Sequence, residues 1–235
     1  MPVVVVTGAS QGIGAAIART FAEAYGPEAR LALVARNAEN LARVAAACEA
    51  FGATAERCPC DVTDDALVGA LAETVRERLG VPDVLVNNAG AFRPATLAET
   101  PPDVFREQVE TNLTSAFLVT RAFLDGMAAR GSGSIFYMAS VASVRGYPGG
   151  AAYCAAKHGL LGLARVVREE TKPRGLRVVA LLPGATRTPS WDGTDQPDER
   201  FIPAEDVARV VLDLHRLSPR TVVEEVLIRP QLGDL

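Results

Sequence analysis

Residues 3–14 read VVVVTGASQGIG, a run of valines that leads directly into a turn with three glycines. A short, wholly apolar, β-branched run is typical of a strand that is covered on both faces of its sheet. The helical pattern of residues 15–25 follows, so the stretch predicts strand, turn and helix. Glycines let the backbone approach a pyrophosphate, and a helix N-terminus offers free N–H groups. We therefore predict a dinucleotide-binding turn, although its Gly-x-x-x-Gly-x-Gly spacing differs from Gly-x-Gly-x-x-Gly. The alternative, an ordinary glycine-rich turn, is disfavoured by the flanking strand and helix.

The rest of the chain repeats this alternation of strand and helix. Apolar runs predict further strands at residues 31–35, 53–60, 83–86, 134–139, 176–182 and 221–228. Helical stripes lie between them, with Thr63 and Thr100 as predicted N-caps. Such alternation predicts an α/β fold, a Rossmann-type doubly wound parallel sheet of about seven strands with helices on both faces. We found no repeat or linker, so residues 1–235 are predicted to form a single domain. A polar segment around residues 185–203 is predicted to be a mobile substrate flap.

Composition and charge argue against several classes of function. The chain has 235 residues, 49% of them hydrophobic, and a net charge of −4, which disfavours nucleic acid or an anionic membrane as a partner. No apolar run approaches the roughly 18 residues of a membrane span, and the N-terminal run is too short for a signal peptide. The four cysteines are scattered, and Cys58-Pro59-Cys60 lacks further ligands at metal-binding spacing. Free thiols, no metal and a cytoplasmic location are therefore predicted.

The residue that follows the second predicted strand indicates the type of dinucleotide. In a dinucleotide fold this position lies beside the adenosine ribose, where Asp or Glu accepts from the 2′-OH of NAD. An arginine there accommodates the 2′-phosphate of NADP instead. The chain has Arg36 at this position and no acidic residue. The sequence therefore predicts NADP(H) rather than NAD(H), although an arginine solvated ahead of a helix is the alternative.

Tyr153 and Lys157 are four residues apart in a predicted helix and would share one face of it. A nearby ammonium stabilises a phenolate and lowers the pKa of a tyrosine from its ordinary value of ~10. Reduction of a carbonyl to an alcohol needs such a proton donor near neutral pH. A Tyr and a Lys at this spacing also occur by chance on surface helices. Ser140, at the end of the preceding apolar run, adds a second polar group to the predicted site.

Taken together, these motifs in this order make the chain resemble the short-chain dehydrogenase/reductase family over nearly its whole length. The resemblance adds Asn87-Asn88-Ala89-Gly90 after the fourth strand, and Pro183-Gly184 with Thr188 after the sixth. It implies a catalytic tetrad of Asn112, Ser140, Tyr153 and Lys157. The cofactor contacts that it implies are the tetrad members Tyr153 and Lys157 together with Gly8, Ser10, Gln11, Gly12, Ile13, Gly14, Arg36, Asp61, Val62, Asn88, Ala89, Gly90, Pro183, Gly184, Thr186 and Thr188.

The resemblance also implies a reaction. Tyr153 would protonate the alkoxide that forms when NADPH delivers hydride to a small carbonyl substrate, and Lys157 would lower its pKa and hold the nicotinamide ribose. Ser140 would hydrogen-bond the carbonyl oxygen. Asn112 would anchor a water that relays protons to Lys157. Members of this family lead us to expect a homodimer or homotetramer, packed partly through the Asn112 and Tyr153 helices.

A narrower resemblance concerns the substrate. Residues 189–191, residues 219–230 and Gly233-Asp234 are similar to bacterial sepiapterin reductases, which favours sepiapterin or a similar vicinal dicarbonyl. The substrate-binding residues predicted on this basis are Ser140, Tyr147, Trp191 and Phe92. Trp191 could instead be hydrophobic packing within the flap. Alternatives for the function are a 3-oxoacyl or sugar/polyol dehydrogenase of the same family, or a catalytically silent NADP(H)-sensing regulator.

Overall fold

The protein, described here by a computed structural model of residues 1–235, is built on one parallel sheet. The strands are β1 (Val3–Thr7), β2 (Arg30–Ala35), β3 (Thr54–Pro59), β4 (Val84–Asn87), β5 (Gly133–Met138), β6 (Leu176–Pro183) and β7 (Glu225–Ile228). They lie side by side in the order β3-β2-β1-β4-β5-β6-β7, and every neighbouring pair is parallel. The prediction of a doubly wound parallel sheet of about seven strands is confirmed.

Helices cover both faces of this sheet. They are α1 (Gly12–Tyr25), α2 (Ala38–Glu49), α3 (Asp65–Arg78), α4 (Pro102–Val109), α5 (Ser115–Arg130), α6 (Ala151–Thr171) and α7 (Ala204–Arg216). Side chains of α1, α2 and α7 pack in one hydrophobic core, and those of α3, α5 and α6 pack in the other. None of the helices combines the length and the apolar character that crossing a membrane requires.

The valine run of β1 is apolar throughout because each of its faces contributes to a different core. Val3 and Val5 belong to the core under α3, α5 and α6, whereas Val4 and Val6 belong to the core under α1, α2 and α7. Alternate side chains of a strand point to opposite faces of the sheet. A central strand of a parallel sheet therefore has no polar face.

The strand order places the predicted site at one edge of the sheet. The chain winds outward from β1 through β2 to β3, then returns to start β4 on the other side of β1. Because all strands are parallel, their carboxyl ends meet at one edge, and the crevice at such a reversal is where ligands bind in open α/β sheets. The glycine turn follows β1 and Asn88-Ala89-Gly90 follows β4, so the two segments lie next to each other in this crevice.

The last strand is shorter than predicted. The sequence indicated a strand at residues 221–228, but β7 comprises only Glu225–Ile228. β7 is an edge strand with β6 as its one neighbour, and pairing begins where the Ala180 N–H donates to Glu224 O. Thr221 belongs to a turn instead, since its N–H donates to Ser218 O. β-branched residues favour extended backbone, but they do not supply a neighbour to pair with.

Both threonine caps were wrong by a small shift. Asp64 caps α3 by accepting from Leu67 N, and the Thr63 hydroxyl donates to Asp61 instead. The Thr100 hydroxyl donates to Thr96 O, and α4 begins only at Pro102. In each case a residue closer to the helix starts it: the Asp64 carboxylate accepts from Leu67 N, and Pro102 begins the first turn of α4.

Candidate active site

One cavity of about 1290 Å³ opens at the carboxyl ends of the strands and gathers nearly all the predicted site residues. Gly14 is the one exception, because it lies buried beneath the glycine turn. The predicted residues that line the cavity are Gly8, Ser10, Gln11, Gly12, Ile13, Arg36, Asp61, Val62, Asn88, Ala89, Gly90, Phe92, Asn112, Ser140, Tyr147, Tyr153, Lys157, Pro183, Gly184, Thr186, Thr188 and Trp191.

The glycine turn is shaped so that larger residues do not fit. Gly8 and Gly12 have φ angles of 65° and 56°, a region that L side chains rarely adopt. A Cβ on Gly14 would lie 2.4 Å from Gly8 O, closer than any real contact. Helix α1 begins at Gly12 without a side-chain cap, so its first N–H groups are left to a ligand. The turn fits the pyrophosphate of a dinucleotide.

Thr7, which the sequence analysis did not single out, joins the glycine turn to the segment after β4. Its hydroxyl accepts from Asn88 N at 2.9 Å and from Ala89 N at 3.0 Å. The Asn88 amide donates in return to Thr7 O at 2.9 Å and to Gly8 O at 3.3 Å. These bonds fix the two backbone segments that line the cavity. A buried threonine at the end of an otherwise apolar strand was the available signal.

At the adenosine end of the cavity, Arg36 and Asp61 follow β2 and β3. Arg36 is exposed and makes no ion pair, so its guanidinium is available to an anionic group. Hydrogen bonds from Thr63 N and the Thr63 hydroxyl to Asp61 Oδ1 hold the pKa of this carboxyl below its usual range, and the positive charge of Arg36 acts in the same direction. Asp61 lines this end of the cavity, and its bonds with Thr63 use Oδ1 alone, so the carboxylate keeps a second oxygen as an acceptor.

Lys157 and Asn112 meet around Gly90. Lys157 is 4% exposed, its ammonium donates to Met138 O at 2.8 Å, and burial lowers its pKa to about 8. Asn112 lies in the π-helical turn Glu110–Thr114 between α4 and α5. Its side-chain oxygen accepts from Ala91 N at 3.2 Å, and its side-chain nitrogen donates to Ala91 O at 2.9 Å. A Cβ on Gly90 would lie 2.7 Å from Asn112 Oδ1 and 3.5 Å from Lys157 Nζ. Glycine is thus required at position 90 for this arrangement.

Tyr153 and Ser140 face the same region of the cavity. The Lys157 ammonium lies 5.5 Å from the centroid of the Tyr153 ring, so the spacing of four brings the two side chains together as predicted. The predicted direction of the pKa change was wrong, however. Part of Tyr153 faces the cavity, yet removal from water raises the pKa of Tyr153 to about 12, while the Ser140 side chain acts to lower that pKa. Spacing alone does not reveal this burial.

Aromatic side chains form two walls at the substrate end. On one side, the Phe92 ring lies 4.9 Å from the Tyr153 ring and 6.2 Å from the Tyr147 ring, centroid to centroid. On the other side, Trp191 lies in the helical turn Pro189–Trp191, and its ring packs on the buried Phe201 ring with 5.1 Å between the two centroids. Trp191 therefore both lines the cavity and packs within its own segment.

The segment at residues 185–203 starts against the glycine turn, where a Cβ on Gly12 would meet the Thr188 side chain at 3.1 Å. Arg187 bonds Asp192 at 3.2 Å and Asp198 at 2.9 Å within the segment. The mobility of this segment stays a prediction. Arg145 and Asp234 also line the cavity, and neither was among the predicted site residues.

A family model and individual known proteins point to the same family. A family model described as short chain dehydrogenase matches residues 2–199. A sepiapterin reductase of Chlorobaculum tepidum is 35% identical over 99% of this chain and 98% of its own length. A putative ketoacyl reductase of granaticin polyketide synthesis from Streptomyces violaceoruber is 39% identical over 80% of the chain and 69% of its own length.

Solved structures agree with this family. An alcohol dehydrogenase from the archaeon Thermococcus sibiricus, complexed with 5-hydroxy-NADP, superimposes with a TM-score of 0.92 at 32% identity. The alignment covers 100% of this chain and 99% of that one. The sequence prediction of the fold is confirmed along the whole chain.

Proposed function

This chain belongs to the short-chain dehydrogenase family, and from its similarity to a sepiapterin reductase we propose that it reduces sepiapterin or a similar vicinal dicarbonyl compound with NADPH. It is an NADP(H)-dependent oxidoreductase, and similar structures at 30–35% identity hold NADP or NADPH. One observation carries the proposed reduction. Ser140, Tyr153 and Lys157 line the same cavity as the glycine turn and Arg36, so a cofactor and a carbonyl can meet beside the proton donor.

NADPH supplies the hydride when it is bound. The glycine turn and the uncapped start of α1 would hold its pyrophosphate, and Arg36 its 2′-phosphate. Asp61 would accept from the adenine amino group. Lys157 would bind the nicotinamide ribose, and the segment from Pro183 to Thr188 would border the nicotinamide.

The proton would come from Tyr153. With a pKa of about 12, the Tyr153 hydroxyl is protonated at neutral pH, and release of its proton needs a group that stabilises the tyrosinate. Ser140, with its hydroxyl accepting from Ala142 N at 3.1 Å, would donate to the substrate oxygen as negative charge develops. Lys157, whose pKa of about 8 leaves it charged at pH 7, would stabilise the tyrosinate that forms. Asn112, whose side chain is bonded to Ala91 and to Gln108 O, would anchor a water that relays protons to Lys157.

The aromatic walls support a flat substrate. Phe92 and Tyr147 lie beside Tyr153, and Trp191 lines the same cavity from the flap. Phe92 and Tyr147 remain 42% and 36% exposed, which is a large apolar area for a cavity wall without a ligand role. A conjugated ring could stack on these side chains while its carbonyl side chain reaches Ser140 and Tyr153.

A second candidate is reduction of a 3-oxoacyl thioester, favoured by the 39% identity to the granaticin ketoacyl reductase. A screen of NADPH oxidation with sepiapterin, small diketones, acetoacetyl thioesters and sugars distinguishes the two. We expect the highest kcat/KM for sepiapterin or a diketone. Preference for the acetoacetyl thioester would favour the second candidate, and no turnover of any carbonyl would contradict both.

We further propose that the protein is a homodimer or homotetramer through α4, α5 and α6. These helices leave Phe105, Phe117 and Val166 exposed by 40%, 44% and 53%. Apolar side chains of this size are commonly covered at interfaces. Sedimentation of wild type and Phe117→Glu tests the idea, and a monomeric wild type would contradict it.

A further inference from the structure

Asp234, just after β7, contacts three arginines from three separate segments. Its carboxylate accepts from Arg229 Nε at 3.0 Å and Nη2 at 2.6 Å, and from Arg145 Nη1 at 3.2 Å. Its main-chain carbonyl accepts from Arg200 Nη2 at 3.3 Å. Arg145 lies in the loop between Ser140 and α6, and Arg200 lies in the flap. One residue therefore joins the last strand, the loop before the catalytic helix and the flap.

The three arginines depend on Asp234 because they have few other partners. Asp234 is the one carboxylate that pairs with Arg145 or with Arg229. Arg200 makes no ion pair, and its Nε is buried without a partner. A two-bond contact between a guanidinium and a carboxylate fixes orientation as well as distance.

These contacts lie at the substrate end of the cavity. Asp234 and Arg145 both line it, and a Cβ on Gly184 would lie 3.5 Å from Asp234 Oδ1. The Arg145 carbonyl also accepts from Cys154 Sγ at 3.8 Å, in the residue next to Tyr153. Movement of Asp234 would therefore reach the loop that supports the proton donor and the flap that carries Trp191.

We propose that Asp234 is a positioning residue, which holds the Arg145 loop and the flap together as one wall of the substrate cavity. It acts through these arginines and does not need to touch the substrate. The kinetic consequence rests on the proposed reduction at Tyr153, whereas the joining of the flap to the Arg145 loop does not.

Trp191 gives a test that needs no substrate. It is the only tryptophan of the chain and lies in the flap, so quenching of its fluorescence by acrylamide reports how firmly the flap is held. We expect quenching to increase in Arg200→Gln, which removes the donor to Asp234 O, and in Asp234→Asn, which removes the carboxylate contacts that fix this main chain. The control Asp125→Asn should leave quenching at the wild-type level. Asp125 lies on α5, its side chain is 98% exposed, and its ion pair with Arg174 is long, at 3.8 Å between Oδ1 and Nη2. Equal quenching in Asp234→Asn and wild type would overturn the proposal.

Kinetics with a small diketone at saturating NADPH separate positioning from folding. Partly exposed ion pairs contribute at most about 1 kcal/mol each, so we expect Asp234→Asn to raise KM roughly three- to fivefold, with the Kd for NADPH unchanged. Arg145→Gln should have a similar effect, and the double variant should be no worse than either single one. Additive losses, or an equal loss in Asp125→Asn, would overturn the proposal. If Asp234→Asn does not fold, Arg145→Gln, Arg229→Gln and Arg200→Gln serve in the same quenching assay, because each removes one of these contacts from the arginine side.

Discussion

The cofactor end and the substrate end of the cavity are held by different kinds of contact. At the cofactor end, backbone segments meet directly, through glycines with no space for a Cβ and through the buried hydroxyl of Thr7. At the substrate end, long side chains meet across partly exposed ion pairs, such as Arg145 with Asp234 and Arg229 with Asp234. Buried backbone contacts restrict residue type tightly, whereas exposed ion pairs tolerate exchange. The type of cofactor can therefore be predicted from the sequence more readily than the substrate.

Tyr153 lies where the two ends meet, and its loss should have the largest effect. We expect Tyr153→Phe to lower kcat by roughly 10²–10⁴-fold, because general acid catalysis contributes that much. The ring still packs against Phe92, so the Kd for NADPH should stay near the wild-type value. Stopped-flow reduction and a fluorescence titration with NADPH measure the two quantities. Retention of most of kcat would show that another group donates the proton.

Lys157 should reveal a conflict between stability and function. Its pKa is about 8 in the folded protein against an ordinary 10.5, so the unfolded chain binds more protons between these values. The folded state is therefore penalised by about 3 kcal/mol below pH 8, and the penalty disappears as the pH rises above 10.5. We expect Lys157→Met to stabilise the protein at pH 7 while it abolishes reduction and weakens NADPH binding. Denaturant unfolding of both proteins at pH 7 and pH 10 checks the sign. A gain at pH 7 that does not shrink at pH 10 would contradict this origin.

The cofactor end can be tested by a matched pair of glycines. Gly14 in α1 and Gly69 in α3 are both helical, but a Cβ on Gly14 meets Gly8 O at 2.4 Å, whereas Gly69 has open space. Alanine is favoured over glycine in a helix by about 0.8–1 kcal/mol, so Gly69→Ala should stabilise the protein. Gly14→Ala should destabilise it by roughly 1–3 kcal/mol and weaken NADPH binding, because backbone must move. Thermal unfolding with and without NADPH measures both effects, and similar behaviour of the two variants would refute the proposed rigidity of the turn.

The sequence predicted the cofactor end of the cavity better than the substrate end. The valine run, the glycine turn and the Tyr153/Lys157 spacing each reflect a local rule, and each was placed correctly. The contact between Arg145 and Asp234 spans 89 residues, and no local pattern shows which arginine an aspartate will meet. The sign of the Tyr153 pKa change was likewise missed, because burial is a property of the assembled cavity.

Arg36 is an exposed side chain at the cofactor end, which is otherwise held by backbone contacts. A hydrogen bond to a charged group contributes ~1.5–3 kcal/mol, so roughly ten- to a hundredfold of the preference for NADPH over NADH should depend on Arg36. The ratio of kcat/KM for the two cofactors in wild type and Arg36→Ala measures this share. Arg30→Ala is a suitable control, since Arg30 begins β2 at the opposite end of the strand. An unchanged ratio in Arg36→Ala would mean that another group recognises the phosphate.

Trp191 should show the smallest and most selective effect, because its segment is held by exposed ion pairs. Its ring lines the cavity and also packs on Phe201, so two roles are open to it. Stacking on a flat substrate adds ~0.5–1.5 kcal/mol beyond buried area, so Trp191→Ala should raise KM for sepiapterin by roughly tenfold. A small aliphatic diketone has no ring to stack, and its KM should change much less. Equal losses for both substrates would assign Trp191 to packing within the flap. Selective loss for sepiapterin would place the specificity of the enzyme in the exposed half of its cavity.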